Sequence, residues 1–308
     1  MIDLHSHSSA SDGSLAPAAL VALALERGLV ALALTDHDSL AGLPEAEAAA
    51  SGTSLRLIRG VEIEIAFEPG EFHLLGLRLE RLDGPLAEAV EGLARARESR
   101  NARIVERMRG AGVDATMEDL RAIAGTGAIG RPHIARLLVE RRAVRTRQEA
   151  FDRFIGKGRP WYEPKESLEL GEAIRLIKEA GGLAVAAHPL SLFVSWGRLE
   201  GIMDEWKELG VDGIEAYHPT AKISHCRRLD RMARARGFRV TAGSDFHGDI
   251  RPERRLGRTA GNLVIGDEYL AELGLGTELG LSAEPGLSAE PGPGPAPQPP
   301  DSPPSSRS

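Results

Sequence analysis

The chain has 308 residues, 42% of them hydrophobic, enough for one large domain with an insertion, and apolar runs such as "LVALALT" and "GGLAVAA" are too short to span a bilayer. The first residues lack the basic start and apolar run of a secretion signal, which points to a cytoplasmic protein, and the single cysteine, Cys226, excludes an intrachain disulfide and a cysteine zinc cluster. A formal charge of -7 and the lack of a DNA-binding motif exclude a protein that coats nucleic acid with its whole surface.

In chain order, short apolar runs alternate with amphipathic patterns. "MIDLH" is followed by a predicted helix from Pro17 to Gly28, then by "VALALTDHD", a helical stretch through Ala50, and the runs "LRLIRGVEIEIAF" and "EFHLLGLRL". The rhythm resumes with a helix from Glu169 to Ala180, "LAVAAHP", a helix from Leu199 to Leu209, "GIEAYHP", a helix through Arg236, and "RVTAGSDFH". Strand, helix, strand in this order predicts a mostly parallel α/β sheet or barrel. The stretch 86–158 between the two halves has no strand-like run and reads as an inserted helical subdomain. From Arg95 to Arg159 there are sixteen Lys/Arg against eight Asp/Glu, a local excess of +8 that leaves -15 for the rest and suits an anionic substrate. Residues 1–85 and 159–274 are then the barrel. Residues 275–308, with a tandem "GLSAEP" and nine of the nineteen prolines, read as a disordered tail rich in Pro, Gly and Ser.

The histidines stand where apolar runs stop. His5 and His7 follow "MIDL", His37 follows "ALALTD", His188 follows "LAVAA", His218 follows "GIEAY", and Asp245 with His247 follow "RVTAGS". In a parallel barrel such strand ends converge on one face. With His218 set aside, adding Asp12, Glu62 and His73 gives nine nitrogen and oxygen donors, too many for one ion and suited to two or three divalent metals sharing a carboxylate. "HSH" and "DFH" are both i, i+2 pairs, which share a face of extended chain.

The motifs "DLHSHSSASDG", "LTDHDSLAG", "GVEIE", "FHLLGL", "AHP" and "GSDFH", in this order, resemble those of the PHP (polymerase and histidinol phosphatase) superfamily over residues 1 to 265. "GRPHIARLL" and "GKGRPWYEP" resemble its stand-alone phosphoesterases that act on nucleoside 3',5'-bisphosphates and on 5'-phosphorylated RNA ends. The resemblance implies a distorted (β/α)7 barrel with a trinuclear centre, manganese first with iron or zinc as alternatives. His5, His7, Glu62 and Asp245 would hold one metal, Glu62 with His73 and His188 a second, and Asp12, His37 and His247 a third. A metal-bridging hydroxide is the implied nucleophile.

Arg131, His133 and Arg159 are the candidate phosphate contacts, with Lys157 as a substitute for Arg159. His218 is the candidate phosphate contact or proton donor, and Asp36 is expected behind the ligands, orienting an imidazole. Trp161 and Glu163 depart from the small and apolar residues usual there. Trp161 or Tyr162 could stack on a base or pack in a core. His225, beside Cys226, is expected to be uninvolved. The implied activity is a metal-dependent phosphatase or phosphodiesterase that removes the 3'-phosphate of nucleoside 3',5'-bisphosphates, with 5' to 3' trimming of short RNA as a related activity. The alternatives are histidinol-phosphate phosphatase and a non-catalytic metal-binding module.

Overall fold

The computed structural model describes residues 1–68, 70–125 and 128–276. Seven strands form one sheet in sequential order: β1 (Ile2–Asp3), β2 (Ala31–Leu34), β3 (Arg56–Ile65), β4 (Phe72–Leu77), β5 (Leu183–Ala187), β6 (Gly213–Tyr217) and β7 (Arg239–Ala242). Two helices, α1 (Pro17–Glu26) and α2 (Leu43–Ala50), follow β1 and β2. Between β4 and β5 lie α3 (Pro85–Gly110), α4 (Met117–Ala124), α5 (Arg131–Glu140), α6 (Arg147–Ala150) with a π-helical turn, and α7 (Leu170–Glu179). The second half adds α8 (Trp196–Leu209), α9 (Ile223–Ala235) and α10 (Glu268–Glu272). Of the expected disordered tail, everything from position 277 lies outside the described residues.

The sheet curls until its ends meet, giving a nearly closed barrel. Ser6 bridges Phe246 in parallel, His7 N–H donates to the Phe246 carbonyl at 2.9 Å, and Asp245 N–H donates to the His5 carbonyl at 2.9 Å. Asp3 fastens the seam from below: its carboxylate accepts the backbone N–H of Ser244 at 2.9 Å and of Gly257 at 2.7 Å. Burial raises its pKa to about 6 despite those bonds.

The sheet is mostly parallel, as expected, and reverses at one strand. β4 runs antiparallel to both β3 and β5, whereas the other pairs are parallel. The cause is the short connection 66–71, since a parallel neighbour needs a crossover of a dozen or more residues. The reversal puts the first residues of β4, including His73, at the rim where the parallel strands end.

Alternation divides the strands between two cores. Ala31 and Ala33 of β2 and Val185 and Ala187 of β5 face the barrel interior with Ile2, Leu4, Ile58, Leu75 and Leu77. Their neighbours Leu32 and Leu34 pack on α1 and α2, and Ala184 and Ala186 join the layer that includes α7, α8 and α9. Helix α7 shows the pattern that binds such a layer: Ala173, Ile174 and Ile177 form one buried stripe.

Helix α3 joins two regions. Its first half gives Leu86, Val90 and Leu93 to the core around the barrel, and its second half gives Ile104, Val105 and Met108 to a separate core with Leu120, Ile134, Leu138 and Ile155. Trp161 belongs to that second core, so the packing of the helical segment runs past position 158. Local signals agree with this arrangement: Thr116 and Asp119 form a reciprocal capping box at the start of α4, and the Thr146 side chain caps α6.

Candidate metal centre

The rim of the barrel brings all nine expected donors together. His5, His7 and Glu62 are fully buried, and Asp245 and His247 nearly so. Glu62, which points inward from β3, is the hub. Its Oε1 lies 2.8 Å from His73 Nδ1 and 2.9 Å from His188 Nε2. Its Oε2 lies 3.2 Å from His5 Nε2, 3.2 Å from His7 Nε2 and 3.1 Å from His37 Nδ1. Asp245 Oδ1 lies 3.1 Å from His7 Nε2, and Asp12 Oδ1 lies 3.3 Å from His247 Nε2.

Within three sets of residues the ligand atoms all lie within 4.8 Å of one another: His5, His7, Glu62 and Asp245; His37, Glu62 and His73; and His7, Asp12, His37 and His247. His188 stands outside these sets and reaches the cluster through Glu62 Oε1 and the His73 ring, 5.1 Å away between centroids. Two of the candidate donors hold unusual backbones: His188 has φ 28° and Asp245 φ 50°, left-handed conformations that cost a non-glycine residue free energy and gather at functional sites.

These donors fit divalent cations. Glu62 Oε2 is buried among three imidazole nitrogens yet makes no hydrogen bond of proper geometry, and His7 Nδ1 is a second buried orphan. His5 Nε2 and His7 Nε2 face each other at 3.1 Å, as two lone pairs do around a shared cation. Without a cation, protons hold the cluster together. Burial would raise Glu62, but His37, His5 and His73 hold it well below the usual carboxylate range, and His5, His218 and His7 do the same for Asp245. Burial opposes a charge on His7, yet Asp245 and Glu62 raise it to about 10. Burial is stronger at His37, whose pKa falls well below normal.

Other residues hold the ligands in place. Glu215 of β6 accepts from His5 Nδ1 at 3.0 Å and from the His188 backbone N–H at 2.9 Å. An acceptor-only carboxylate there keeps a proton on Nδ1 and aims the Nε2 lone pair into the cluster. Gly243 makes room for this pair, since a Cβ would come within 2.3 Å of His5 Cβ and 2.5 Å of Glu215 Oε1. Buried Arg254 ion-pairs with Asp245 Oδ2. Sequence reasoning missed Glu215 and Arg254; the only signal was a glutamate inside the apolar run "GIEAY".

Asp36 corrects an expectation. Among the described residues it bonds to no imidazole, although the His7 charge acts on it, and instead it accepts from Ser8 N–H and Oγ at 2.7 Å each and from Ser11 Oγ at 2.6 Å. Its work is to fold the turn that carries Asp12. His218 is bonded at both nitrogens, Nε2 to Asp245 Oδ2 at 3.0 Å and Nδ1 to Thr220 Oγ1 at 2.8 Å. It lines a cavity of about 540 Å³ together with His37, His73, His188, Asp245 and His247. His225 also lines that cavity, away from the donors, with its ring edge-on to Trp196.

The helical segment meets the rim on the Asp12 side. Ala128 N–H donates to the Ser11 carbonyl, and Arg97 of α3 ion-pairs with Asp38, the neighbour of His37. His133 lowers its pKa through burial, with Asp12 pulling the other way, so the two are electrostatic neighbours. Its Nδ1 accepts the Gly130 N–H at 3.0 Å, and its Nε2 has no hydrogen-bond partner among the described residues. Arg131 lies 5.4 Å from the Tyr162 ring centroid. Arg159 is exposed, and Lys157 is taken up by an ion pair with Glu68. Trp161 is buried and stacked on Phe154 at 4.2 Å, so it serves the core and offers no face to a base. Glu163 anchors Arg103 at 2.9 Å and also pairs with Arg107. Lys165, which pairs with Glu64 beside the cluster, is a further cation the sequence reading missed.

A nearly closed barrel whose rim gathers six imidazoles around shared carboxylates defines a metal-dependent phosphoesterase. The chain belongs to the PHP domain family, whose profile matches residues 3–149. It is 36% identical over 250 residues to the 5'-3' exoribonuclease Rnm of Escherichia coli (strain K12), covering 80% of this chain and 84% of that protein. It is 30% identical over 259 residues to the 3',5'-nucleoside bisphosphate phosphatase of Chromobacterium violaceum, covering 84% and 91%. A crystal structure from Bifidobacterium adolescentis, described as a metal-dependent phosphoesterase, matches 88% of this chain and 94% of its own at 31% identity and a TM-score of 0.72. The chain is therefore a hydrolase. Among the described residues no helix is long and apolar enough to cross a membrane.

Proposed function

We propose that the enzyme removes the 3'-phosphate of nucleoside 3',5'-bisphosphates, with 5' to 3' trimming of short 5'-phosphorylated RNA as a related activity, in the cytoplasm. The observation that carries this reading is the basic helical segment that meets the rim on the Asp12 side, where Ala128 N–H donates to the Ser11 carbonyl and His133, two residues after Arg131 on α5, is an electrostatic neighbour of Asp12. The names of the relatives point the same way.

In this reading the barrel, residues 1–85 and 159–274, holds three divalent ions, manganese first. His5, His7, Glu62 and Asp245 take one, Glu62 with His73 and His188 a second, and Asp12, His37 and His247 the third. When bound, such ions supply Lewis acidity toward phosphoryl oxygens and generate a nucleophile from water at neutral pH. The chain's own groups do the rest. Arg131, His133 and Arg159, from the substrate-facing segment 86–158 and its border, donate to phosphate oxygens and fix the ester's orientation. His218, in the cavity wall, is assigned the proton for the leaving alcohol, and its bond to Asp245 keeps the ring oriented.

The test is a substrate panel with manganese, comparing 3'-phosphoadenosine 5'-phosphate, a short 5'-phosphorylated RNA and histidinol phosphate, on the wild type and on His7→Ala. The expected result is phosphate release from the bisphosphate, lost in His7→Ala. Preference for histidinol phosphate would overturn the reading.

A further inference from the structure

The cavity of about 540 Å³ beside the donor cluster is walled by barrel loops: among the described residues that line it, none comes from the helical segment 86–158. Phe193 stands out in this wall. It is 81% exposed, and φ 52° places its backbone in the left-handed region, which costs a non-glycine residue free energy. The turn that presents it is braced. Leu192 is buried, Ser191 N–H donates to the His188 carbonyl at 2.9 Å, and Ser191 Oγ donates to the Glu71 carbonyl at 2.9 Å. One fixed piece of backbone thus carries a candidate donor, His188, at its start and an exposed aromatic side chain at its end.

Cations line the same cavity. Lys222 and Arg251 are both exposed in its wall. Past His225 the surface continues in Trp196 and Arg228: the His225 ring is edge-on to Trp196, and the Arg228 guanidinium lies 4.3 Å from the centroid of that ring. Arg228 approaches Glu200 only to 3.8 Å, with both side chains exposed. Apart from the donors and Glu215, Glu71 is the one carboxylate among the described lining residues. Aromatic faces interleaved with cations along a groove hold single-stranded nucleic acid without strong sequence preference.

The two proposed reactions break the same bond. Water gives its oxygen to phosphorus and, net, one proton to the departing 3'-oxygen; the phosphate then leaves free from a bisphosphate, or stays on the next nucleotide of an RNA. The substrates differ only beyond the phosphorus, where RNA carries a second nucleotide and a bisphosphate carries none. The substrate-facing helical segment takes the first nucleotide, so the second belongs to the cavity wall. We propose that Phe193 stacks on that second base while Lys222 and Arg228 receive the phosphates that follow, so that this wall selects strands over mononucleotides. The proposal rests on the reading of RNA trimming as an activity of this site.

The experiment compares the manganese-loaded wild type with Phe193→Ser and Phe193→Trp on a 5'-phosphorylated RNA pentamer and on adenosine 3',5'-bisphosphate. Phe193→Ser should lower kcat/KM on the RNA roughly 5-fold to 100-fold, chiefly through KM, with the bisphosphate unchanged. Phe193→Trp should keep the activity on RNA, because stacking asks only for an aromatic face. Binding is read separately with a 5'-phosphorylated RNA that has 2-aminopurine as its second base and a methylene in place of the first bridging 3'-oxygen, which prevents cleavage. Its fluorescence should be quenched by the wild type and far less by Phe193→Ser. The side chain is exposed, so the serine variant should fold and melt as the wild type does. Equal losses on both substrates would place Phe193 on the first nucleotide and overturn the proposal, as would no loss on either. A wild type active on the bisphosphate and inactive on RNA would overturn it too. A wild type inactive on both would overturn the functional reading instead, and the stacking site would then stand or fall on the quenching.

Discussion

The barrel rim and the helical segment beside it both concentrate charge, but they balance it in opposite ways. At the rim every carboxylate meets imidazoles: Glu62 alone meets five, and Asp245 is held by His7, His218 and Arg254. In the helical segment Arg100 feels the charges of Arg131 and Arg97 and, among the described residues, has no acid of its own. The rim can exchange its protons for metal ions, because imidazole and carboxylate are ligands once deprotonated. The arginines keep their charge at any working pH, so they are balanced only where the fold supplies a carboxylate, as Glu163 does for Arg103 and Arg107. One region thus suits divalent cations, and the other carries an excess of positive charge.

The most severe way to break the rim is at its hub. Glu62→Gln should lower kcat on the order of 10³-fold and reduce bound metal, because one carboxylate contacts all three donor groups through five imidazoles. Metal content by mass spectrometry and kcat on the bisphosphate check this. A variant with full metal and near-wild-type turnover would show that the hub is dispensable.

Glu215→Gln should have a smaller effect, about 10-fold to 100-fold in metal affinity or activity. The amide still accepts a bond from the His188 backbone, but its NH2 would face His5 Nδ1 and favour the tautomer with the proton on Nε2, pointing into the cluster. A manganese titration of the purified variant reads this directly. Unchanged affinity would mean that ring orientation is set by packing alone.

The smallest effect separates the rim with and without metal. In metal-free protein the folded-state pKa of His7 is raised to about 10, so the stability it contributes is fully present below its ordinary value of 6.5 and is lost as pH rises toward 10. Melting temperature of chelator-treated protein should therefore fall by a few degrees or more between about pH 7 and about pH 10. Manganese-loaded protein should lose that slope, since a metal-bound imidazole carries no second proton to lose. Parallel curves would argue that His7 is not a ligand.

Much of the rim was legible from residue spacing. The pairs His5 with His7 and Asp245 with His247 announce themselves because i, i+2 residues share a face of extended chain and each pair follows an apolar run. Glu215 did not, because a single glutamate in an alternating strand reads equally well as a solvent-facing residue until barrel closure turns that face inward. Arg100 was hidden for a related reason. It is one of several arginines along α3, and only the fold decides that Arg103 meets Glu163 while Arg100 meets other cations. Asp36 sat beside His37 in sequence yet serves Ser8 and Ser11, since neighbours along a turn point in different directions. Trp161 carried two readings that the sequence held equal, and burial against Phe154 chose the core.

By itself the sequence determined the α/β rhythm, the break in it at the helical segment and the inventory of metal donors, because these depend on local periodicity and on side-chain chemistry that do not change on folding. Only the tertiary structure decided that β4 runs backward to bring His73 to the rim, that Glu62 serves five imidazoles, and that Arg100 is buried without a counter-charge among the described residues. Those facts are relations between residues distant in the chain, and they come into being only when the barrel closes and α3 is laid across its edge.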